Sequence, residues 1–324
     1  MLFRIFLAQL LWTYSSANEK IVVKTSVGEI QGVAKKGYSV FYGIPYAEPP
    51  VNELRWKKPV PKSNFTSPFD ASKSSNRYCC IQDSKTETNE DCLNLSIFTP
   101  STEQEYPLAT MIWIHGGAYE SGCGDQNGAQ LAMNQNVVVV AISYRLGALG
   151  FLYDDENNIV GNQGMWDQKM AIEWVHDHIS NFGGDPENLT IFGNSAGGNS
   201  VLNLVSMKET HVFSNAIAES PSASIRWRSK VEAKKQGDDF LKILDCEDWV
   251  CARKKSADEV LEAQIELKKI WPDNDPGISK ISEYWTPMID NVLLDANPMI
   301  TFRDTMIGSD INMMIGHNTD EEVG

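Results

Sequence analysis

Gly193, Asn194, Ser195, Ala196, Gly197 and Gly198 place a serine two positions after one glycine and two before another. A serine hydroxyl can act as a nucleophile when a sharp strand-to-helix turn holds it outward, with bare glycines keeping strand and helix from colliding. A strand candidate (residues 189–192) precedes this stretch and a helix candidate (residues 199–205) follows it. The spacing alone is weak evidence, because with glycine and serine each near 7% of residues a chain this long would contain it by chance about one time in ten. The strand, the helix and the additional Gly198 argue against an ordinary glycine turn. In such an elbow the backbone N–H of Ala196 faces the reacting carbonyl.

A second chemical element follows another strand candidate, residues 109–114. His115, Gly116, Gly117, Ala118 and Tyr119 stand there, and side-chain-free backbone at Gly116 and Gly117 can bring two N–H groups to a developing oxyanion. A phosphate loop is the competing reading. It would need lysine followed by serine or threonine after Gly122, where Cys123 and Gly124 stand instead. The pair of elements therefore points to acyl transfer on Ser195, with Gly116, Gly117 and Ala196 as oxyanion donors, and calls for no metal and no cofactor.

Acyl transfer by serine needs a base, normally histidine. The chain has five: His115, His176, His178, His211 and His317. His115 belongs to the glycine loop. His176 and His178 are two apart on a helix and face different sides, which argues against a shared metal site and against a base, so both are read as surface residues. His211 precedes a strand, and His317 closes the chain's last apolar run.

The elements that must position these residues are legible from periodicity. Residues 21–27, 29–33 and 38–42 form a small N-terminal antiparallel meander, and residues 49–90, rich in Pro, Ser, Lys and Asn, read as loops. Residues 93–98, 108–114, 137–142, 189–192, 215–218 and 311–315 are short apolar runs suited to strands buried on both faces. Residues 167–182, 231–244 and 256–270 carry helical spacing. Strand and helix in alternation predict an α/β fold, a mostly parallel central sheet flanked by helices.

With 324 residues and 42% hydrophobic content the chain can bury a large core, and its net charge of −15 argues against a nucleic-acid partner. Arg4, a short apolar stretch and Ser15, Ser16 and Ala17 read as a signal peptide over residues 1–17, so the protein is expected to be secreted. No stretch reaches the roughly 20 apolar residues of a membrane span. Six cysteines suit an oxidising destination: Cys246 pairs most simply with Cys251, and Cys92 with Cys79 or Cys80, the pairing Cys80 with Cys92 being taken here. Asn64, Asn94 and Asn188 begin glycosylation sequons; the last two lie at strand starts, where a glycan would clash, so Asn64 is the expected site.

Several ordered stretches resemble the type B carboxylesterase family, which also holds the cholinesterases and the non-catalytic neuroligins. Phe41 to Ala47, Glu90 to Leu95, Tyr144 to Gly147, Gly161 to Gly164 and Phe182 to Pro186 carry the resemblance together with the two glycine motifs. It implies the α/β-hydrolase fold over residues 18–324, with the C-terminal part of the fold missing. It also implies that Glu321, in Gly316-His317-Asn318-Thr319-Asp320-Glu321, is the triad acid, although Glu322 stands where the family has glycine. The family's histidine follows its acid, and only three residues follow Glu321 here, so a truncated, inactive or weak form is expected. Cholinesterases carry a tryptophan in the first disulfide loop and a glutamate before the serine. Residues 81–91 contain no aromatic residue and Asn194 precedes Ser195, which favours a small, uncharged ester as substrate. Pro221 replaces the family's glycine after the serine at Ser220. A secreted adhesion or binding protein on the same fold is the alternative.

Overall fold

Alternating β-branched and polar residues at the N-terminus pair locally, and the longer apolar runs then build a sheet around them. The computed structural model describes residues 19–74, 79, 89–124, 126–208, 211–222, 227–270 and 285–320; the signal peptide read over residues 1–17, Cys80 and Glu321 lie outside these. The strands are β1 (Glu19–Thr25), β2 (Gly28–Lys35), β3 (Tyr38–Pro45), β4 (Phe69–Asp70), β5 (Asn94–Thr99), β6 (Leu108–Ile114), β7 (Val138–Ile142), β8 (Tyr153–Asp154), β9 (Ile159–Val160), β10 (Gly184–Asn194), β11 (Asn215–Glu219) and β12 (Asn312–Gly316). The helices are α1 (Ala129–Gln135), α2 (Gly147–Phe151), α3 (Gln163–His178), α4 (Ala196–Val205), α5 (Lys230–Ile243), α6 (Trp249–Arg253), α7 (Ala257–Ile270) and α8 (Pro298–Asp304).

The main sheet runs β1-β2-β3-β5-β7-β6-β10-β11-β12, with β4 beside β2. From β1 to β7 neighbours are antiparallel, and from β7 through β6, β10 and β11 to β12 they are parallel. The expected meander is therefore one wing of a single mixed sheet. All residues of β5 and β7 are buried, as a strand covered on both faces requires. Among the described residues β12 is the outermost strand on the parallel side, with Met314 and Ile315 exposed.

Two differences from the sequence reading have local causes. The helix read from residue 167 begins at Gln163. Its start is polar yet buried: Gln163 Nε2 donates to the carbonyls of Trp56 and Leu152 at 3.1 and 2.8 Å, and Asn162 exchanges side-chain hydrogen bonds with the Met288 backbone. Buried polar residues at the start of a helix do not join its apolar period, so the periodic pattern begins later than the helix. His178, read as a surface residue, is buried: its ring stacks on Trp174 at 4.5 Å, its Nδ1 meets the Trp174 carbonyl at 2.8 Å and its Nε2 meets Ser26 Oγ at 3.0 Å. The glycan clash foreseen at Asn94 agrees with its burial, whereas Asn188 is exposed.

The disulfides correct one pairing. Cys92 is bonded to Cys79 rather than Cys80, and Cys246 to Cys251 as expected. Loops differing by one residue cost nearly the same closure entropy, so spacing does not choose between neighbours; Cys79 lies buried in the core beside Cys92. Cys123 is also disulfide-bonded.

Arg145, just beyond β7, is fixed to α3 by a buried bidentate pair: its Nε and Nη2 donate to the two carboxylate oxygens of Asp167, each at 2.7 Å, and its backbone N–H donates to the same carboxylate at 3.0 Å. Both side chains are almost wholly excluded from solvent. Removing one partner leaves an uncompensated buried charge, so Asp167→Ala is expected to lower stability by about 3–5 kcal/mol, read from urea unfolding. A loss under about 1 kcal/mol would show that water reaches Arg145.

Candidate active site

β10 ends at Asn194 and α4 begins at Ala196, so Ser195 alone makes the turn. Its backbone lies at φ 57° and ψ −123°, a conformation that a side-chain-bearing residue enters only under strain. Two hydrogen bonds hold it there: Ser195 N–H donates to the Glu219 carbonyl at 2.9 Å, and Asn199 N–H donates to the Ser195 carbonyl at 2.9 Å. Ser195 is exposed, while every residue of α4 behind it is buried.

The elbow glycines face backbone. A Cβ on Gly193 would sit 2.6 Å from the Ile114 carbonyl oxygen, one on Gly197 2.1 Å from the same atom, and one on Gly198 2.6 Å from the Glu219 carbonyl oxygen. The sequence reading attributed these glycines to clearance between strand and helix; the ends of β6 and β11 impose the same demand.

The glycine loop after β6 comes against the elbow. A Cβ on Gly116 would lie 2.4 Å from the Asn194 carbonyl oxygen and 3.3 Å from Ser195 Cβ. Gly117 has φ 114°, and its carbonyl accepts from the N–H groups of Glu120 and Ser121, both at 2.9 Å. Ala118 and Tyr119 follow at φ 55° and 57°. Tyr119 anchors the loop from below: it is fully buried, its OH accepts from Ser200 Oγ on α4 at 3.4 Å, and its carbonyl accepts from Gly147 N–H at 2.7 Å. The sequence reading missed Tyr119 and Ser200 as supports, although Tyr119 lies three residues beyond Gly116. Glu120 is paired with Lys268 of α7, tying the loop to that helix as well.

Asn194 is in register with Glu219, and Glu219 with Gly316, so β10, β11 and β12 finish level at one edge of the sheet. Glu321 lies outside the described residues, five positions beyond that edge. Asn194 is exposed, and its amide donates to the Glu219 carbonyl at 3.4 Å. Of the remaining histidines, His176 lies beside Asp177 on α3, His211 lies against the Leu204 carbonyl, and His317 is exposed after β12. Among the described residues no cluster of histidine, cysteine or carboxylate side chains could hold a metal ion.

His115 is buried, and burial pushes its pKa down to about 4, outweighing the hydrogen bond to the Gly116 carbonyl, which favours the charged ring. In the unfolded chain the same ring takes its proton near 6.5. Between these values the unfolded state binds the extra proton, so stability falls as pH drops from about 6.5 to about 4, by about 3 kcal/mol in total. Urea unfolding of the wild type and His115→Phe across this range should show a steeper fall in the wild type; parallel profiles would mean the ring titrates normally.

Gly197→Ala puts a methyl into the Ile114 carbonyl and is expected to cost about 2 kcal/mol or more. Gly316, whose Cβ would meet nothing within 4 Å, is the control, and its alanine variant should stay within about 0.5 kcal/mol of the wild type. Equal losses at both positions would contradict the close approach at the elbow.

Comparison with known proteins places this arrangement. The sequence profile of the Carboxylesterase family matches residues 19–324. Gut esterase 1 of Caenorhabditis elegans is 34% identical over 290 residues, 86% of this chain and 50% of that protein. The acetylcholinesterase of Danio rerio is 31% identical, over 95% of this chain and 52% of its own length. Among solved structures a PNB esterase superposes with a TM-score of 0.83 at 33% identity, covering 93% of this chain and 64% of the other. A carboxylesterase of Geobacillus stearothermophilus gives 0.81 at 32% identity, covering 93% and 62%. The chain thus spans about half the length of gut esterase 1 and the acetylcholinesterase, and 62–64% of the two solved structures. A strained, exposed serine between strand and helix, a glycine loop packed on it and agreement along nearly the whole sequence have one common source: the chain belongs to the carboxylesterase family, with its α/β-hydrolase fold.

Proposed function

We propose that this protein is a secreted hydrolase of small, uncharged carboxylic esters, working through an acyl-enzyme on Ser195. The observation that carries the reading is the exposed Ser195 held at φ 57° and ψ −123° beside the Gly116–Gly117 loop. Strain of this kind persists only where the surrounding structure over-determines it, and it projects the hydroxyl away from both strand and helix.

In the mechanism Ser195 Oγ attacks the ester carbonyl carbon, and the carbonyl oxygen takes up negative charge. The N–H groups of Gly116, Gly117 and Ala196 stabilise that charge, worth about 10²- to 10³-fold in rate per donor. The alcohol leaves, an acyl-Ser195 ester remains, and water releases the acid. Glu321 orients the histidine that serves as base and stabilises its charged form. None of the chain's five histidines suits that role: His115 is buried and a weak base, His176, His178 and His211 are engaged by Asp177, Trp174 and Leu204, and His317 is too close in sequence to Glu321 to approach Ser195 from a separate loop. The base is therefore assigned to a histidine later in the family's order than Glu321. Without such a histidine Ser195 would react slowly, since loss of one triad member commonly costs about 10⁴- to 10⁶-fold in turnover.

Two features support an uncharged substrate. Asn194 puts a neutral amide beside the serine where cholinesterase-like sequences carry glutamate, and residues 81–91 offer no aromatic ring for a cation. The relatives include acetylcholinesterases as well as gut esterases, so the choice rests on these residues rather than on the family. Secretion rests on the leader-like residues 4–17 and on the disulfides. Asn64 is exposed in a loop and suits a glycan. Among the described residues no helix is long and apolar enough to cross a membrane.

A fluorophosphonate probe applied to a form extending beyond Gly324 is expected to label Ser195, with labelling lost in Ser195→Ala. The same form should cleave short neutral p-nitrophenyl esters at least tenfold faster than choline esters. Absence of labelling would replace the enzyme reading with a binding protein on this fold, and a preference for choline esters would overturn the substrate class.

A further inference from the structure

The glycine loop carries a buried side chain that the proposed chemistry does not use. His115 is 3% exposed, and its Nδ1 lies 2.9 Å from the carbonyl oxygen of the next residue, Gly116. A carbonyl oxygen only accepts, so the ring hydrogen must sit on Nδ1 and this nitrogen donates. Nε2 is buried and has no hydrogen-bond partner among the described residues, as expected of a neutral ring whose single hydrogen is already committed. An Nε2–H tautomer would set the Nδ1 lone pair against the carbonyl lone pairs and bury an unpaired donor.

Three further contacts fix the ring. It stacks on Tyr144 with centroids 4.4 Å apart and planes 17° from parallel, and Tyr144 OH donates to the His115 carbonyl at 2.8 Å. Gly122, at φ 99°, closes over the bond: a Cβ there would sit 2.3 Å from the Gly116 carbonyl oxygen and 2.4 Å from His115 Nδ1. Only glycine at position 122 leaves the bond intact.

The consequence follows from peptide planarity. In a trans peptide the C=O of one residue and the N–H of the next point in opposite directions in one rigid plane. No peptide bond among the described residues is cis. Holding the Gly116 carbonyl toward the buried His115 ring and Gly122 therefore turns the Gly117 N–H away from them. We infer that His115 is a positioning residue: its Nδ1–H braces the Gly116 carbonyl and so aims the Gly117 N–H at the oxyanion position beside Ser195, with Tyr144 and Gly122 holding the brace. The inference rests on the proposed role of Gly117 as an oxyanion donor; the hydrogen bond itself does not.

The test has two arms that fail separately. First, long-range ¹H–¹⁵N correlation on the full chain with ¹⁵N-labelled histidine, at neutral pH and with His115→Phe identifying the resonance, is expected to show the Nδ1–H tautomer. An Nε2–H tautomer overturns the brace whatever the fate of Ser195. Second, His115→Phe keeps a ring to stack on Tyr144 but loses the donor. In a form that reacts with fluorophosphonate, its maximal inactivation rate is expected to fall about ten- to hundredfold while the reversible affinity for the probe stays within about twofold. In the same variant the Gly117 amide resonance shifts. A folded His115→Phe protein with wild-type inactivation rate and an unmoved Gly117 resonance overturns the positioning role. If the wild type itself does not react, the Ser195 reading fails, and the tautomer and the Gly117 resonance decide the brace.

Discussion

The carbonyl oxygen of Ile114 occupies the space where a methyl group on either Gly193 or Gly197 would have to be. Around that atom three backbone segments converge: the end of β6, the start of the glycine loop after it and the elbow at Ser195, whose far side meets the end of β11 through Gly198. Approaches this close are open only to glycine, and they leave no room for the segments to slide past one another. Ser195 can hold an unfavourable φ and ψ because its N–H is committed to Glu219 and its carbonyl to Asn199, with α4 packed beneath. The strain is local, and the packing that sustains it extends through most of the sheet.

The supports of the glycine loop differ in kind from those of the elbow. The elbow is held by backbone contact; the loop is held by side chains reaching it from three directions. Tyr119 reaches down to Ser200 on α4, Glu120 pairs with Lys268 on α7, and His115 stacks on Tyr144 beyond β7. Each of these is local to a different element, so the loop reports on how α4, α7 and the β7 end are mutually placed. Arg145 and Asp167 add a buried ion pair immediately next to Tyr144, and the desolvation of that pair is offset by its fixed bidentate geometry and the added backbone N–H. A polar set of this sort specifies one arrangement of α3 against the sheet more strictly than apolar packing alone.

Much of the fold was open to periodicity. The apolar runs at residues 108–114 and 215–218 coincide with β6 and nearly all of β11, and the charged amphipathic stretches match α5 and α7 within one residue at each end. What escaped was polar structure satisfied internally. At the start of α3, Asn162 and Gln163 are bonded to distant backbone and carry no hydrophobic signal themselves. His178 looks like a solvent-facing residue and is buried because Ser26 and the Trp174 carbonyl accommodate its two nitrogens. Cys79 and Cys80 are equivalent to any argument from spacing, and it is Cys79, buried beside Cys92, that bonds to it.

By itself the sequence determined the chemistry on offer: a serine flanked by glycines, a second glycine pair after a strand, and the strand–helix alternation that brings both to one edge of a sheet. These follow from residue type and local spacing, because turns and strands are short-range properties of the chain. Tertiary structure alone decided the rest: that the Gly116 loop lies against Asn194, that β10, β11 and β12 end level, and that the His115 ring has one place to put its hydrogen. These depend on contacts between residues far apart in sequence, or on the burial those contacts create, and no local pattern encodes either.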